Sequence, residues 1–294
     1  MVNLETGQTN TWCPGCFNFG ILSSMKSVLK KLIEEGVKQE NIVMATGVGC
    51  APKIFDYMNI GGIYGLHGRV VPQLVGMKIG NPNLTAIGFA GDGGSYYEGI
   101  AHLIHAARYN ANVTMIVHDN QNFALTTGQS TPTSEKGFKS KADPLGVAEE
   151  PMNPPVLMLG ANASFVARVY AKDIKQMTEV FEAAIKHKGF SFVEVLQPCV
   201  SFHADVPYLD EHIYKVSGNN LKDKKEAMEL AMKWNFEAHK DQPGSQKKIP
   251  TGIFYQRERD TMEENYTQLR ELLNEGKGWF EVKRKIPKIQ ELMK

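Results

Sequence analysis

Two groups of residues in this 294-residue chain have the types and spacing to do chemistry. The first is Gly91-Asp92-Gly93-Gly94 with Asn120, which stands 28 positions after Asp92. Glycines in a turn let the backbone approach a bound phosphate, and a helix that follows aims its amino terminus there. Asp92 and Asn120 offer hard oxygen atoms; one carboxylate, one amide and phosphate oxygens are the ligands Mg²⁺ prefers. Taken alone, Gly-Asp-Gly is an ordinary turn. The second group is Cys13-Pro14-Gly15-Cys16 with Cys50 and Cys199, which are all the cysteines of the chain. A CxxC pair ahead of a helix is compatible with a zinc site, a redox dithiol or iron–sulfur ligation. Four unrelated small buried residues are the plain alternative. A zinc knuckle normally brings a second close pair, and none exists here. A thioredoxin-like dithiol leaves Cys50 and Cys199 without a role, whereas four thiolates converging beside a cofactor suit a [4Fe–4S] cluster.

These residues need strands and helices to position them. Leu22, Met25, Val28, Leu29 and Leu32 recur at helical spacing and predict a helix over 20–35, stopped by Gly36. The apolar run 41–45 predicts a strand that ends in Thr46-Gly47-Val48-Gly49-Cys50. Further strands are predicted over 84–90, 113–117, 164–168 and 191–196, and further helices over 70–79, 96–109 and 174–186. Strands alternating with helices argue for an α/β fold, a mostly parallel sheet with helices on both faces. Asp92, Asn120, Cys50 and Cys199 then fall past the carboxyl ends of strands, the end that lines the ligand crevice. Residues 129–155, rich in Gly, Pro, Ser, Thr and Lys, are too long for an idle connection and read as a functional loop or a partner surface. From 211 onward the chain is charged and mainly helical, with an interruption at 242–245. The expected organisation is one α/β domain over 1–210 and a helical C-terminal extension over 211–294, packed on that domain or on a partner.

Composition narrows the class. An apolar share of 42% and a charged share of 22% are ordinary for a soluble domain with a sizeable core. A formal charge of +1 offers no electrostatic reason to expect nucleic acid or an acidic membrane surface. No apolar run reaches bilayer length, and residues 1–10 lack the apolar stretch of a signal peptide. The expectation is a soluble cytoplasmic protein, where structural disulfides are rare.

The Gly-Asp-Gly to Asn120 unit resembles the thiamine-diphosphate motif, and Asn122 falls where that motif supplies a backbone carbonyl to the metal. Several further runs resemble the β subunit of 2-oxoacid:ferredoxin oxidoreductases. They are Trp12-Cys13-Pro14-Gly15-Cys16, Gly47-Val48-Gly49-Cys50, Leu66-His67-Gly68-Arg69, His102-Leu103-Ile104-His105-Ala106-Ala107-Arg108, Leu125-Thr126-Thr127-Gly128-Gln129 and Gln197-Pro198-Cys199. The similarity runs in order from about Thr11 to His203 and weakens through the tail. Phe17, Gly94 and Ala101 stand where the family usually has Gly, Asp and Asn. Thr127 replaces a frequent Lys, a difference that bears on substrate choice.

The resemblance implies thiamine diphosphate, Mg²⁺ on Asp92, Asn120 and Asn122, and a [4Fe–4S] cluster on Cys13, Cys16, Cys50 and Cys199. Gly47, Gly49, Cys50, His67, Gly91, Asp92, Gly93, Gly94, Leu125 and Thr126 would border the cofactor. His67 contacts the diphosphate or reacting centre, or is simply packed. Lys53 faces the substrate carboxylate, or is a solvated surface lysine. Leu125 and Thr127 would border the substrate. His102, His105 and Arg108 read as helix surface or as a contact between subunits, and Trp279-Phe280 as packing against the body or a partner. The implied reaction is reversible: a 2-oxoacid and coenzyme A give acyl-CoA, CO₂ and two electrons for ferredoxin. The glutamate that thiamine enzymes place on the aminopyrimidine would come from a separate α subunit or domain, so the implied enzyme is an obligate hetero-oligomer. Two rivals are a non-oxidative thiamine decarboxylase subunit, which needs no cluster, and a zinc-stabilised α/β interaction module.

Overall fold

A computed structural model of the chain describes residues 3–236, 248–278 and 281. Its centre is an eight-stranded sheet built from β1 (Ile42–Thr46), β2 (Gly61–Tyr64), β3 (Thr85–Gly91), β4 (Thr114–Asp119), β5 (Phe165–Tyr170), β6 (Ser191–Leu196), β7 (Ile213–Lys215) and β8 (Ile249–Gln256), in the order β2-β1-β3-β4-β6-β5-β8-β7. Pairing is parallel from β2 through β5; β8 runs antiparallel to β5, and β7 is parallel to β8. Every residue of β4, β5 and β6 is buried, including the polar residues His118, Asp119, Arg168 and Glu194 among the apolar ones.

Alternate residues of each strand feed two cores. On one face Ile87, Phe89, Ala167 and Val193 pack with α1 (Asn18–Glu34) and α5 (Ile174–Lys186) through Met25, Leu29 and Phe181. On the other, Ala86, Ala90, Met115 and Phe192 pack against α2 (Val70–Gly80), α3 (Ile100–Tyr109) and α4 (Pro154–Gly160). The expected parallel sheet with helices on both faces is therefore present. Between β1 and β3 the chain turns outward to β2 on one side and to β4 on the other. That reversal is the switch point where open parallel sheets bind ligands.

Some elements differ from expectation. β2 escaped notice because it is four residues long and begins Gly-Gly, yet Gly62 is needed there: a Cβ would lie 2.1 Å from the Met44 carbonyl oxygen. The region expected as loop ends in α4, started by Pro154-Pro155 and capped by Asn153, whose side chain accepts from the Val156 N–H. The helix expected from residue 96 opens instead with a π-helical turn over Gly93–Glu98. The tail carries α6 (Val206–His212), α7 (Lys224–Ala231), α8 (Met262–Asn265) and α9 (Thr267–Glu275), and also β7 and β8, which the helical reading did not include. Pro250 and Gly252 interrupt the apolar pattern of β8 and disguise it. Residues 242–245 and the pair Trp279-Phe280 lie outside the described residues. No described helix is long and apolar enough to cross a membrane.

Aromatic side chains of the tail cover a buried ion pair in the sheet. Arg168 on β5 and Glu194 on β6 are register partners, fully buried, with Nε 2.5 Å from Oε2. The guanidinium lies 5.1 Å from the Trp234 ring, 5.5 Å from Phe236 and 5.9 Å from Phe254 on β8. Removing one member of such a pair leaves the other charge buried and uncompensated. Arg168→Leu is expected to cost about 3 kcal/mol of stability, read as a lower denaturant midpoint, with Trp234 fluorescence reporting loosened tail packing.

Candidate active site

At the switch point a cavity of about 210 Å³ opens past the carboxyl ends of β1, β3 and β4. Gly49 and Cys50 line it from the first loop, Gly91, Asp92, Gly93 and Gly94 from the second, and Asn120, Asn122, Leu125 and Thr126 from the third. His67 reaches in from the loop after β2. Gly47 is the one residue of the expected cofactor set outside the wall; a Cβ there would touch Val70 at 3.4 Å. Gly93 and Gly94 stand in tight quarters. A Cβ on Gly93 would fall 2.1 Å from the Phe123 ring, and one on Gly94 3.2 Å from the His67 ring.

Asp92 is buried at the start of the π-helical turn. Its Oδ2 accepts hydrogen bonds from Thr131 Oγ1 at 2.5 Å and Thr133 Oγ1 at 3.1 Å. Thr133 Oγ1 also lies 2.8 Å from Asp119 Oδ1, so its single hydrogen is shared between two carboxylates. Burial outweighs these bonds and pushes the Asp92 carboxyl up to about 6. Asn120 Oδ1 accepts from the Asn122 N–H at 3.2 Å. The Asn122 carbonyl accepts from the Ala124 N–H at 3.0 Å, while its buried side-chain oxygen has no partner. A desolvated carboxylate, an amide oxygen and an orphaned amide oxygen around one cavity fit a hard cation such as Mg²⁺.

His67 Nδ1 sits 3.0 Å from the Val48 carbonyl oxygen, and Nε2 sits 3.1 Å from Glu98 Oε2, so both ring nitrogens face acceptors. Sequence reading did not single out Thr131, Thr133, Phe123 or Glu98. The hydroxyl cluster Thr131-Pro132-Thr133-Ser134 inside the flagged loop was the available signal.

A second cavity, of about 230 Å³, adjoins the first. Cys50, Asn120, Ala124 and Leu125 border both, and Cys13, Cys16, Cys50 and Cys199 all line the second. Among the described residues, three His, Cys, Asp or Glu ligand atoms lie within 4.8 Å of one another only at Glu135, His203 and Asp205. No three cysteine sulfurs therefore come that close. One tetrahedral zinc at about 2.3 Å from each sulfur needs them about 3.8 Å apart. The four cysteines line one cavity at a wider spacing than that.

Burial pushes the Cys16 thiol up and the Cys50 thiol to about 11; the neighbouring cysteines add to both shifts, and Lys53 opposes the second. Trp12, just before Cys13, donates its indole N–H to the Cys50 carbonyl at 2.7 Å and ties two cysteine-bearing segments together. Lys53 lies on the cysteine side of the shared wall, where it donates to Thr11 Oγ1 at 3.0 Å. Thr127 also lines the cysteine cavity, with φ of +79°, a strained conformation for a β-branched residue. His102, His105 and Arg108 lie on α3 and line neither cavity; Arg108 stacks over Tyr109.

A family model described as thiamine pyrophosphate enzyme, C-terminal TPP binding domain, matches residues 42–195. A second model, for the C-terminal part of the pyruvate ferredoxin oxidoreductase beta chain, matches residues 199–271. The chain is similar to the 2-oxoacid:ferredoxin oxidoreductase subunit beta of Saccharolobus solfataricus, with 37% identity over 266 residues, 85% of this chain and 82% of that protein. The corresponding Sulfolobus sp. protein is 36% identical over 270 residues, 86% and 84% of the two chains. The chain belongs to the β-subunit family of the 2-oxoacid:ferredoxin oxidoreductases.

A solved structure of the same enzyme class shares the architecture of this β subunit. It is the 2-oxoglutarate:ferredoxin oxidoreductase from Magnetococcus marinus with 2-oxoglutarate, coenzyme A and succinyl-CoA bound. The likeness has a TM-score of 0.84 at 28% identity, over 99% of this chain and 93% of that one. The thiamine model spans β1 to within one residue of the end of β6, and so takes in both Asp92 and Asn120. Thiamine diphosphate is thus the cofactor of this β subunit. Gly93→Ala, which drives a methyl into the Phe123 ring, is expected to abolish thiamine diphosphate binding in titration calorimetry while the thermal midpoint stays within a few degrees of wild type.

Proposed function

We propose that this β subunit, completed by an α subunit or domain, catalyses oxidative decarboxylation of a 2-oxoacid of the pyruvate or 2-oxoglutarate type. The 2-oxoacid and coenzyme A give acyl-CoA, CO₂, one proton and two electrons. The electrons pass singly through a [4Fe–4S] cluster on Cys13, Cys16, Cys50 and Cys199 to ferredoxin. The observation that carries this reading is the shared wall: all four cysteines line a cavity that adjoins the thiamine cavity through Cys50 and Leu125.

Thiamine diphosphate supplies the carbon-centred chemistry and holds the electrons left by decarboxylation. This chain's residues bind it, orient it and drain those electrons. Asp92, Asn120 and Asn122 would hold Mg²⁺ on the diphosphate, with the Thr131 and Thr133 hydroxyls fixing the Asp92 carboxylate. The close backbone at Gly93 and Gly94 would cradle the phosphates. His67, anchored on Val48 and Glu98, would face the diphosphate end. Leu125 and Thr127 would border the substrate, and Lys53 would hold positive charge beside the Cys50 sulfur, where negative charge accumulates on reduction.

Among the described residues no glutamate lines the thiamine cavity, which supports a partner that brings the pyrimidine-binding half. Apolar side chains are exposed in the segments around that cavity: Val48, Tyr64, Leu66 at 73% and Tyr97 at 65%. Exposed apolar surface of this kind suits an interface with another polypeptide. A reducing cytoplasm suits thiols that must ligate iron.

Anaerobic purification of the assembled enzyme is expected to yield about four irons and four sulfides per β chain, together with thiamine diphosphate. Cys199→Ser is expected to lose the iron and ferredoxin reduction while retaining the thiamine. Thiamine without iron in the wild type would leave a non-oxidative decarboxylase; zinc without either would remove the enzyme reading.

A further inference from the structure

We propose that Gln197 and Ser201 donate hydrogen bonds to two of the cluster's cysteine sulfurs and thereby raise its reduction potential, an inference that rests on the cluster reading above. Gln197 Nε2 lies 3.7 Å from Cys16 Sγ, and Ser201 Oγ lies 3.6 Å from Cys13 Sγ. Both are hydrogen-bond distances for sulfur. The two donors serve both members of the CxxC pair and flank the fourth cysteine, Cys199, on either side.

Gln197 is held where it can act. It is 2% exposed and sits directly after β6, where its own N–H donates to the Asp119 carbonyl at 2.8 Å and extends the sheet by one rung. Its side-chain oxygen is buried without a partner, so the contact that the amide does make is through the nitrogen that faces sulfur. Burying an amide oxygen unpaired carries a free-energy cost.

Ser201 is exposed, but the turn that carries it is pinned. The His203 N–H donates to the Cys199 carbonyl at 3.2 Å and closes an isolated bridge between those residues. The buried His203 ring is held by Glu135 Oε2 at 2.7 Å from Nε2 and by the Phe138 ring at 4.8 Å. The loop 197–203 therefore presents one ligand and two donors as a unit.

The consequence for the cluster is electrostatic. Reduction adds one electron to a group whose negative charge is spread over its sulfurs. Donors aimed at those sulfurs stabilise the reduced form more than the oxidised form, and hydrogen bonds to sulfur are one of the levers that set cluster potentials. Gln197 and Ser201 would thus ease the removal of electrons from the adjoining thiamine site without being cluster ligands themselves. They are positioning residues for electron flow.

The test uses the assembled enzyme, purified anaerobically as wild type, Gln197→Leu, Ser201→Ala, the double variant, and Ser201→Thr, which keeps the hydroxyl. Iron and sulfide are counted first, and then the cluster is titrated with a redox buffer while the reduced form is followed by electron paramagnetic resonance. Full iron content is expected throughout. The midpoint should move negative in each single variant and further in the double, while Ser201→Thr stays near wild type. A several-fold fall in the reduced-to-oxidised ratio at a fixed poise is the expected size, a tenfold change being about 59 mV for one electron. Unchanged midpoints at full iron content would overturn the proposal and leave the cluster intact as a reading. Absence of iron from the wild type would instead remove the cluster reading itself. If Gln197→Leu loses iron through misfolding, the exposed Ser201→Ala and its threonine control decide the matter.

Discussion

Asp92 stands at the switch point of the sheet, buried, with its carboxyl pushed up to about 6 by loss of solvent. A carboxylate in that place is stable as an anion only with donors and a cation around it. The Thr131 and Thr133 hydroxyls supply the donors from a loop some forty residues downstream. The amide oxygens of Asn120 and Asn122 complete a ligand set that a divalent cation on a diphosphate would satisfy. Gly93, directly after Asp92, is fixed by sterics, since any side chain there would occupy the space of the Phe123 ring. The π-helical turn over Gly93–Glu98 lets the chain leave this crowded corner while still entering α3.

The second constraint is adjacency. The proposed cluster must lie close to the thiamine site, and the cysteine cavity that would hold it shares a wall with the cofactor cavity. Cys50 belongs to both because it follows β1, one of the two strands that flank the switch point. Cys13 and Cys16 arrive from the amino-terminal segment before α1, and Cys199 from the loop after β6. Trp12 fastens the first of these segments to the Cys50 segment, and the His203–Glu135 contact fastens the last to the threonine-bearing loop. The same loop region thus steadies both the Asp92 carboxylate and the cysteine cavity.

The tail does more for the sheet than its composition suggests. β8 covers the edge of β5 in antiparallel sense, and β7 follows it, so the parallel sheet does not end on an exposed strand at that side. Trp234, Phe236 and Phe254 surround the Arg168 guanidinium and keep the buried Arg168–Glu194 pair dry. At the opposite edge β2 remains exposed, and the apolar side chains of its end and of the neighbouring loops lie open around the cofactor cavity. The exposed edge of the sheet is thus the one beside the cofactor cavity.

The sequence by itself determined the alternation of strands and helices, the Gly-Asp-Gly turn with its distant Asn120, the CxxC pair ahead of a helix, and Cys50 and Cys199 past strand ends. Each of these is a local signal: apolar periodicity over a few turns, a glycine where the backbone must bend, a ligand type at a strand terminus. Only the tertiary structure decided which of them meet. It brought Cys13, Cys16, Cys50 and Cys199 to one cavity, set Lys53 on the cysteine side, and left Gly47 outside the cofactor wall. It also recruited Thr131 and Thr133 to Asp92, and placed Ser201 beside Cys13 across 188 positions of sequence. β2 and β8 likewise became strands through their neighbours, against glycine and proline in their own sequences. The physical reason is range: propensity and periodicity act over a turn or two of chain, whereas a ligand set, a buried charge and its partners, and a sheet edge are satisfied only by residues that packing brings from far away.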